Sequence, residues 1–130
     1  MIGTDEHEIR ETIALYFNSL ETFDDERMRN IVHPEARMFN VGNSNVFFIK
    51  TREEFIKGTI TAPRLHGMIP FMFEVKEITI NTHELTASAE VEWRMVMPDS
   101  IGVHHTFYHL AKIDDKWVIV NMLDCGREVR

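Results

Sequence analysis

Residues 85 to 97 alternate almost without a break. Leu85, Ala87, Ala89, Val91, Trp93, Met95 and Met97 stand at odd positions, and Thr86, Ser88, Glu90, Glu92, Arg94 and Val96 at even ones. Successive side chains of a strand point to opposite faces, so this segment predicts a long strand with one face on a core and the other wet or at a polar contact. It is flanked by two further runs of the same kind, Phe71 to Ile80 and Ile101 to Ile113, with Trp117 to Leu123 closing the chain. Turn chemistry separates them at Asn81-Thr82-His83-Glu84, Pro98-Asp99-Ser100 and Asp114-Asp115. The second half therefore reads as an antiparallel meander.

The first half has a different period. Ile9, Ile13, Tyr16, Phe17 and Leu20 recur every three or four residues, which predicts a helix over about Asp5 to Glu21, with Thr4 or Asp5 as its cap. A second short helix is expected over Asp25 to Val32, capped by Asp24 and burying Met28, Ile31 and Val32, and stopped by His33-Pro34. Ala36 to Val41 and Val46 to Lys50 read as a short hairpin around Gly42-Asn43-Ser44-Asn45. Thr51-Arg52-Glu53-Glu54 has the spacing of a capping box, so a third helix starts there, with Phe55, Ile56 and Ile60 on its apolar side. Residues 61–70 hold two prolines and a glycine and read as a loop. Helices first and long strands afterwards is the α+β pattern.

A chain of 130 residues is expected to make a single domain over 1–130. At that length roughly two-thirds of the unfolded surface can be buried, so neither a disulfide nor a structural metal is needed. Nine Phe and eight Met among 44% apolar residues make the core bulky and adaptable. There is no run of eighteen apolar residues and no basic, apolar leader in Met1 to Arg10, so neither a membrane span nor a signal peptide is expected. The lone Cys125 suits a reducing, cytoplasmic setting and reads as a spectator. Net charge is −7, and residues 1–30 carry eight acids against three arginines. That face would repel a duplex or an anionic bilayer, so no nucleic-acid or membrane partner is expected.

Four features resemble one family: Tyr16-Phe17 late in the first helix, His33-Pro34-Glu35-Ala36-Arg37 before a short strand, the capped Thr51-Arg52-Glu53-Glu54-Phe55 helix, and the run from Leu110 to Asn121. Together they resemble the lumazine-binding, SnoaL-like branch of the NTF2-like superfamily, over nearly the whole chain. The resemblance implies a cystatin-like α+β cone: three N-terminal helices packed in the concave face of a curved, mostly antiparallel sheet, with a pocket at one end and often a homodimer through the outer sheet face. A small apolar or aromatic ligand is expected from the apolar residues of the second half of the chain, and no cofactor is expected. The superfamily includes steroid isomerases, dehydratases and cyclases as well as binding proteins, so the resemblance carries the fold further than the reaction.

The candidate site residues follow from that frame. Tyr16 matches a helix tyrosine that donates to substrate oxygen in the isomerases; alternatively it is a core tyrosine bonded to backbone. Asn40 stands where those isomerases carry an aspartate base, and an amide can orient a ligand but not accept its proton. His105 and His109 share parity with Val103, Phe107, Ala111 and Ile113, the set read as core-facing, which makes them candidate acid–base groups beside Tyr16; the opposite parity, with Thr106, Tyr108 and Leu110 inward, stays open. Trp93, Met95 and Phe71 to Phe73 are candidates for an apolar pocket wall. Arg64 and His66 could close over its mouth, and Asp124 is expected at the rim. Residues four apart on a strand are separated by about 13 Å, so His105 and His109 cannot share an ion, and no metal site is expected. Three function classes remain: a small-molecule binder using Tyr16, Asn40, Trp93 and His109; an acid–base lyase, isomerase or cyclase; or an interaction module using the outer face with Glu90, Glu92 and Arg94.

Overall fold

The structure is a computed structural model that describes residues 4–42 and 46–129. Its elements run α1 (Thr4–Thr22), α2 (Asp25–Ile31), β1 (Val32–Val41), β2 (Phe47–Thr51), α3 (Arg52–Ile56), a π turn (Lys57–Thr61), α4 (Ala62–Leu65), β3 (Met72–His83), β4 (Thr86–Val96), β5 (Ile101–Ile113) and β6 (Lys116–Val129). The six strands form one sheet in the order β2-β1-β6-β5-β4-β3. Every neighbouring pair is antiparallel except β1 and β6. This is the α+β architecture expected, with the parallel pair joining the N-terminal hairpin to the meander. Register shifts between Val32 and Arg37, Val75 and Glu77, and His109 and Leu110 bend the strands, as bulges do, and curve the sheet around the helices.

The helical stripe of α1 is buried as its spacing requires: Ile9, Ile13, Tyr16, Phe17 and Leu20 all lie in the core with Val91, Trp93, Tyr108, Leu110 and Ile119 of the sheet. Full burial of side chains of this size contributes about 1.5–3 kcal/mol each. Asp5, a candidate cap, accepts from Trp117 Nε1 at 3.0 Å and Lys112 Nζ at 3.1 Å, which fastens the first turn of α1 to the β5–β6 hairpin. Asp24 caps α2 by accepting from Arg27 N at 3.0 Å. Helix α2 ends at Ile31, and Val32 already belongs to the strand; Pro34 falls inside the irregular stretch of the β1–β6 ladder, where its missing N–H costs no regular bond. Both bonds of the capping box form: Glu54 N donates to Thr51 Oγ1 at 3.2 Å, and Thr51 N donates to Glu54 Oε1 at 2.9 Å.

Two expectations change. Residues 62–65, read as loop, are helical: they continue from the π turn without a break, with Pro63 near the start of α4. The stretch ends at Gly67, whose φ of 66° is the left-handed conformation that favours glycine after a helix. The turn after β3 centres on Glu84, and β3 runs on to His83. At the last hairpin Asp114 and Asp115 both have positive φ, the pattern that matches the twist of the flanking strands. The expected turn over residues 42–45 lies largely outside the described residues. Among those described, no helix is long and apolar enough to cross a membrane.

Candidate functional site

A cavity of about 570 Å³ opens between the inner sheet face and the helical stretch of residues 52–65. Met38, Phe55, Phe73, Trp93 and Met122 give it an apolar wall, and Met68, Ile69, Pro70 and Phe71 form part of its edge. Tyr16, Asn40, Lys50, Thr59, His104 and Asp124 bring polar groups to it. Of the expected wall residues, Phe71, Phe73, Trp93 and Met95 line it; Met72 faces out, paired with Val96.

Sheet register assembles the polar floor. The parallel β1–β6 pairing sets Asn40 beside Asp124, the β5–β6 pairing sets Thr106 opposite Asp124 and His104 opposite Gly126, and the β4–β5 pairing sets Trp93 opposite His104. Trp93 Nε1 donates to Thr106 Oγ1 at 2.8 Å, and Thr106 Oγ1 donates to Asp124 Oδ1 at 2.6 Å. Asp124 Oδ2 accepts from Asn40 Nδ2 at 2.9 Å and lies 2.9 Å from His104 Nδ1. Asp124 is thus 5% exposed, with three partners on its two oxygens, rather than at the rim as expected. The His104 ring stacks on Trp93, centroids 4.1 Å apart and planes 13° from parallel. A Cβ at position 126 would overlap that ring, so glycine there is what gives the imidazole its place. With Nδ1–H directed at Asp124, a neutral His104 presents a bare Nε2, which has no hydrogen-bond partner among the described residues.

Tyr16 is buried, and its hydroxyl donates to Met122 Sδ at 3.2 Å, a weak acceptor, rather than to backbone. Burial first, and then the charge of Asp124, push its ionisation well above the ordinary phenol range, so it stays a donor. Tyr108 packs edge-on against it at 5.2 Å and is likewise pushed up by burial, and its hydroxyl is buried with no hydrogen-bond partner among the described residues.

The inward placement expected of His105 and His109 is corrected. Residues paired directly across a sheet share a face, so inward Trp93 carries His104 inward, while outward Glu92 carries His105 outward. His105 Nε2 meets Glu90 Oε1 at 2.7 Å, and exposed His109 meets Asn121. An acid–base scheme built on either of them with Tyr16 has no geometry. Arg64 does not lie free over the mouth: it donates to Phe23 O at 2.8 Å and Asp25 Oδ1 at 2.9 Å. Sequence reasoning brought Tyr16, Asn40 and Trp93 to the cavity, left the inward parity of Thr106 open, and missed His104 and the burial of Asp124. Among the described residues no three His, Cys, Asp or Glu side chains converge as metal ligands.

No curated protein matches the chain. Solved structures do. An NTF2-like protein of unknown function from Shewanella baltica superposes with a TM-score of 0.80 at 17% identity, covering 98% of this chain and 97% of that one. A cystatin-like protein of unknown function from Nostoc punctiforme gives 0.76 at 19% identity, with 98% and 94% covered. An NTF2-like protein of unknown function from Pseudomonas putida gives 0.75 at 16% identity, with 96% and 88% covered. At these identities the likeness carries the fold. The model of the family described as "Putative lumazine-binding" matches residues 4–123, from α1 into β6 and ending one residue before Asp124, and the chain belongs to that family, in the NTF2-like, cystatin-like fold.

Proposed function

We propose that the protein binds one small, largely apolar or aromatic molecule in the cone, with a polar group of the ligand turned to Asn40, His104 and Asp124. The observation that carries this reading is an apolar cavity of about 570 Å³ with a few convergent polar groups on one wall, the usual make-up of a small-molecule site. Trp93 supplies an apolar wall, and its ring is held by stacking on His104. Tyr16 supplies a phenol whose present acceptor, a thioether, is easily exchanged for a ligand oxygen. The test is titration with a neutral fluorescent aryl amine, N-phenyl-naphthylamine, alongside native mass spectrometry of the purified chain. Saturable binding of one probe per chain is expected; no saturable signal and only the bare protein mass would refute the reading.

A second reading has its own observation. His104 lines the cavity, and its pairing with Asp124 leaves Nε2 with no hydrogen-bond partner among the described residues, the arrangement in which a carboxylate fixes a histidine tautomer for proton transfer. Isomerisation, dehydration or cyclisation would use His104 Nε2 as base and Tyr16 as hydrogen-bond donor. Asp124→Asn would then lower turnover far more than it lowers probe affinity.

A homodimer through the outer sheet face is also proposed. Ile49, Phe107 and Leu123 are 56%, 44% and 41% exposed, and register aligns them with Phe39 in one row across four strands. Light scattering on the full chain tests it.

A further inference from the structure

Among the described residues Lys50 is the one lysine or arginine on the cavity wall. The β1–β2 register puts it opposite Met38, on the inner face of the sheet. Its stem runs toward the π turn, where Nζ comes within 3.7 Å of the place a Cβ would occupy on Gly58. That separation is ordinary van der Waals contact, so the ammonium lies against the π turn on the cavity side. Other cations nearby are held by carboxylates: Arg29 by Asp25 and Glu53, Arg52 by Glu53, and Arg64 by Asp25. Lys50 has no carboxylate within ion-pair distance among the described residues. Glu54, whose charge Lys50 does feel, already accepts from the backbone of Thr51 in the capping box.

The other charge on the cavity wall is Asp124, two strand spacings from Lys50 across the sheet and two residues further along its strand, about 12 Å away by register. An anionic group on a ligand would be repelled from Asp124 and attracted to Lys50, and a donor or an acidic proton would be drawn the other way. In a chain of net charge −7, a single unpaired cation on an otherwise apolar wall is the feature that offsets the general repulsion of anions.

We propose that the cavity is selective for amphipathic monoanions: an apolar body of aryl size carrying one carboxylate, which docks at Lys50 while the opposite end meets the Asn40–His104–Asp124 cluster. This rests on the binding reading above and deepens it. The ligand then has one permitted direction, set by charge rather than shape.

The test uses the full chain at neutral pH, with N-phenyl-naphthylamine as reporter and two competitors of matched size, naphthoate and its neutral counterpart acetylnaphthalene. Naphthoate is expected to displace the reporter about two- to fivefold more strongly, the scale of one exposed charge pair. Lys50→Met is expected to remove that preference, so that naphthoate and acetylnaphthalene displace the reporter equally. Lys50→Arg is expected to keep it, and added salt to narrow it. Equal displacement by the two competitors, or a preference that survives Lys50→Met, overturns the inference while the binding reading stands. If the reporter itself shows no saturable binding, the binding reading falls and this inference falls with it.

Discussion

Thr106→Val isolates the polar floor of the cavity with almost no change of shape. Thr106 is 1% exposed, and its hydroxyl both accepts from Trp93 Nε1 at 2.8 Å and donates to Asp124 Oδ1 at 2.6 Å. Valine keeps the volume and removes both bonds. The lost bond to a charged group is worth about 1.5–3 kcal/mol, and leaving the buried indole N–H unpaired costs about 1–3 kcal/mol more. The methyl that replaces the hydroxyl returns part of this by burial, so a net destabilisation of about 2–4 kcal/mol is expected. Urea unfolding measures it: with a slope of about 1–3 kcal/mol per molar, the midpoint should fall by about 1–2 M. Exposed Thr79 on β3 is the control, where the same change should stay within about 0.5 kcal/mol. In a Trp93→Phe background the indole N–H is gone, so Thr106→Val should cost about 1 kcal/mol less there. An unchanged midpoint in Thr106→Val, or an equal cost with and without the indole, would refute the hydrogen-bonded chain from Trp93 to Asp124.

Other consequences follow from single contacts. Gly126→Ala should push the His104 ring off Trp93, destabilise by about 1–3 kcal/mol and change the near-ultraviolet dichroism of tryptophan; Gly102→Ala, whose Cβ would meet His104 Nε2 at 3.2 Å, should do so more mildly. Arg64 first, and then Arg29, hold the Asp25 carboxyl down at about 2, below its unfolded value of about 3.9, so its stabilisation is complete above pH ~4 and is lost as pH falls toward 2. Thermal melts of Asp25→Asn over that range should show a shallower acid dependence than wild type. Thr51→Ala should cost about 1 kcal/mol in urea unfolding by removing the cap of α3. Leu123→Asp should convert a dimer to monomers by light scattering while leaving reporter binding intact.

The fold was legible where local chemistry had one solution. The alternation of β4 admits one face to the core, and Ala87, Ala89, Val91 and Trp93 are buried as that requires. The Thr51–Glu54 box and the Asp24 cap each mark a helix start by bonds that residues three apart can make. Strand β5 had two solutions. Its odd series offers Val103 and Phe107 and its even series Tyr108 and Leu110, so composition cannot choose between faces. What decides is the length of the turn: the three residues 98–100 read from sequence would pair Met97 with Ile101, odd with odd. The β4–β5 hairpin closes between Val96 and Ile101, so odd residues of β4 pair with even residues of β5, and the inward set of β4 fixes His104, Thr106 and Tyr108 as inward. The burial of Asp124 was harder to see, since it depends on the parallel β1–β6 pairing, and nothing local to either strand specifies a partner so far away in sequence.

That cluster also says something about what the cone was built to do. Burying a carboxylate is expensive, and pairing it seldom does better for stability than an apolar residue of the same shape. Here Asp124 is buried against three donors in the wall of an open cavity, and two of them, Asn40 and His104, line that cavity as well. On the far side of the same sheet, His105 and His109 make exposed contacts to Glu90 and Asn121 that a surface offers cheaply. A residue placed only for packing at position 104 would not need a glycine opposite it, a tryptophan beneath it and an acid at its Nδ1. Those three constraints all act on the orientation of one imidazole, and orientation is worth specifying when the remaining nitrogen has something to meet.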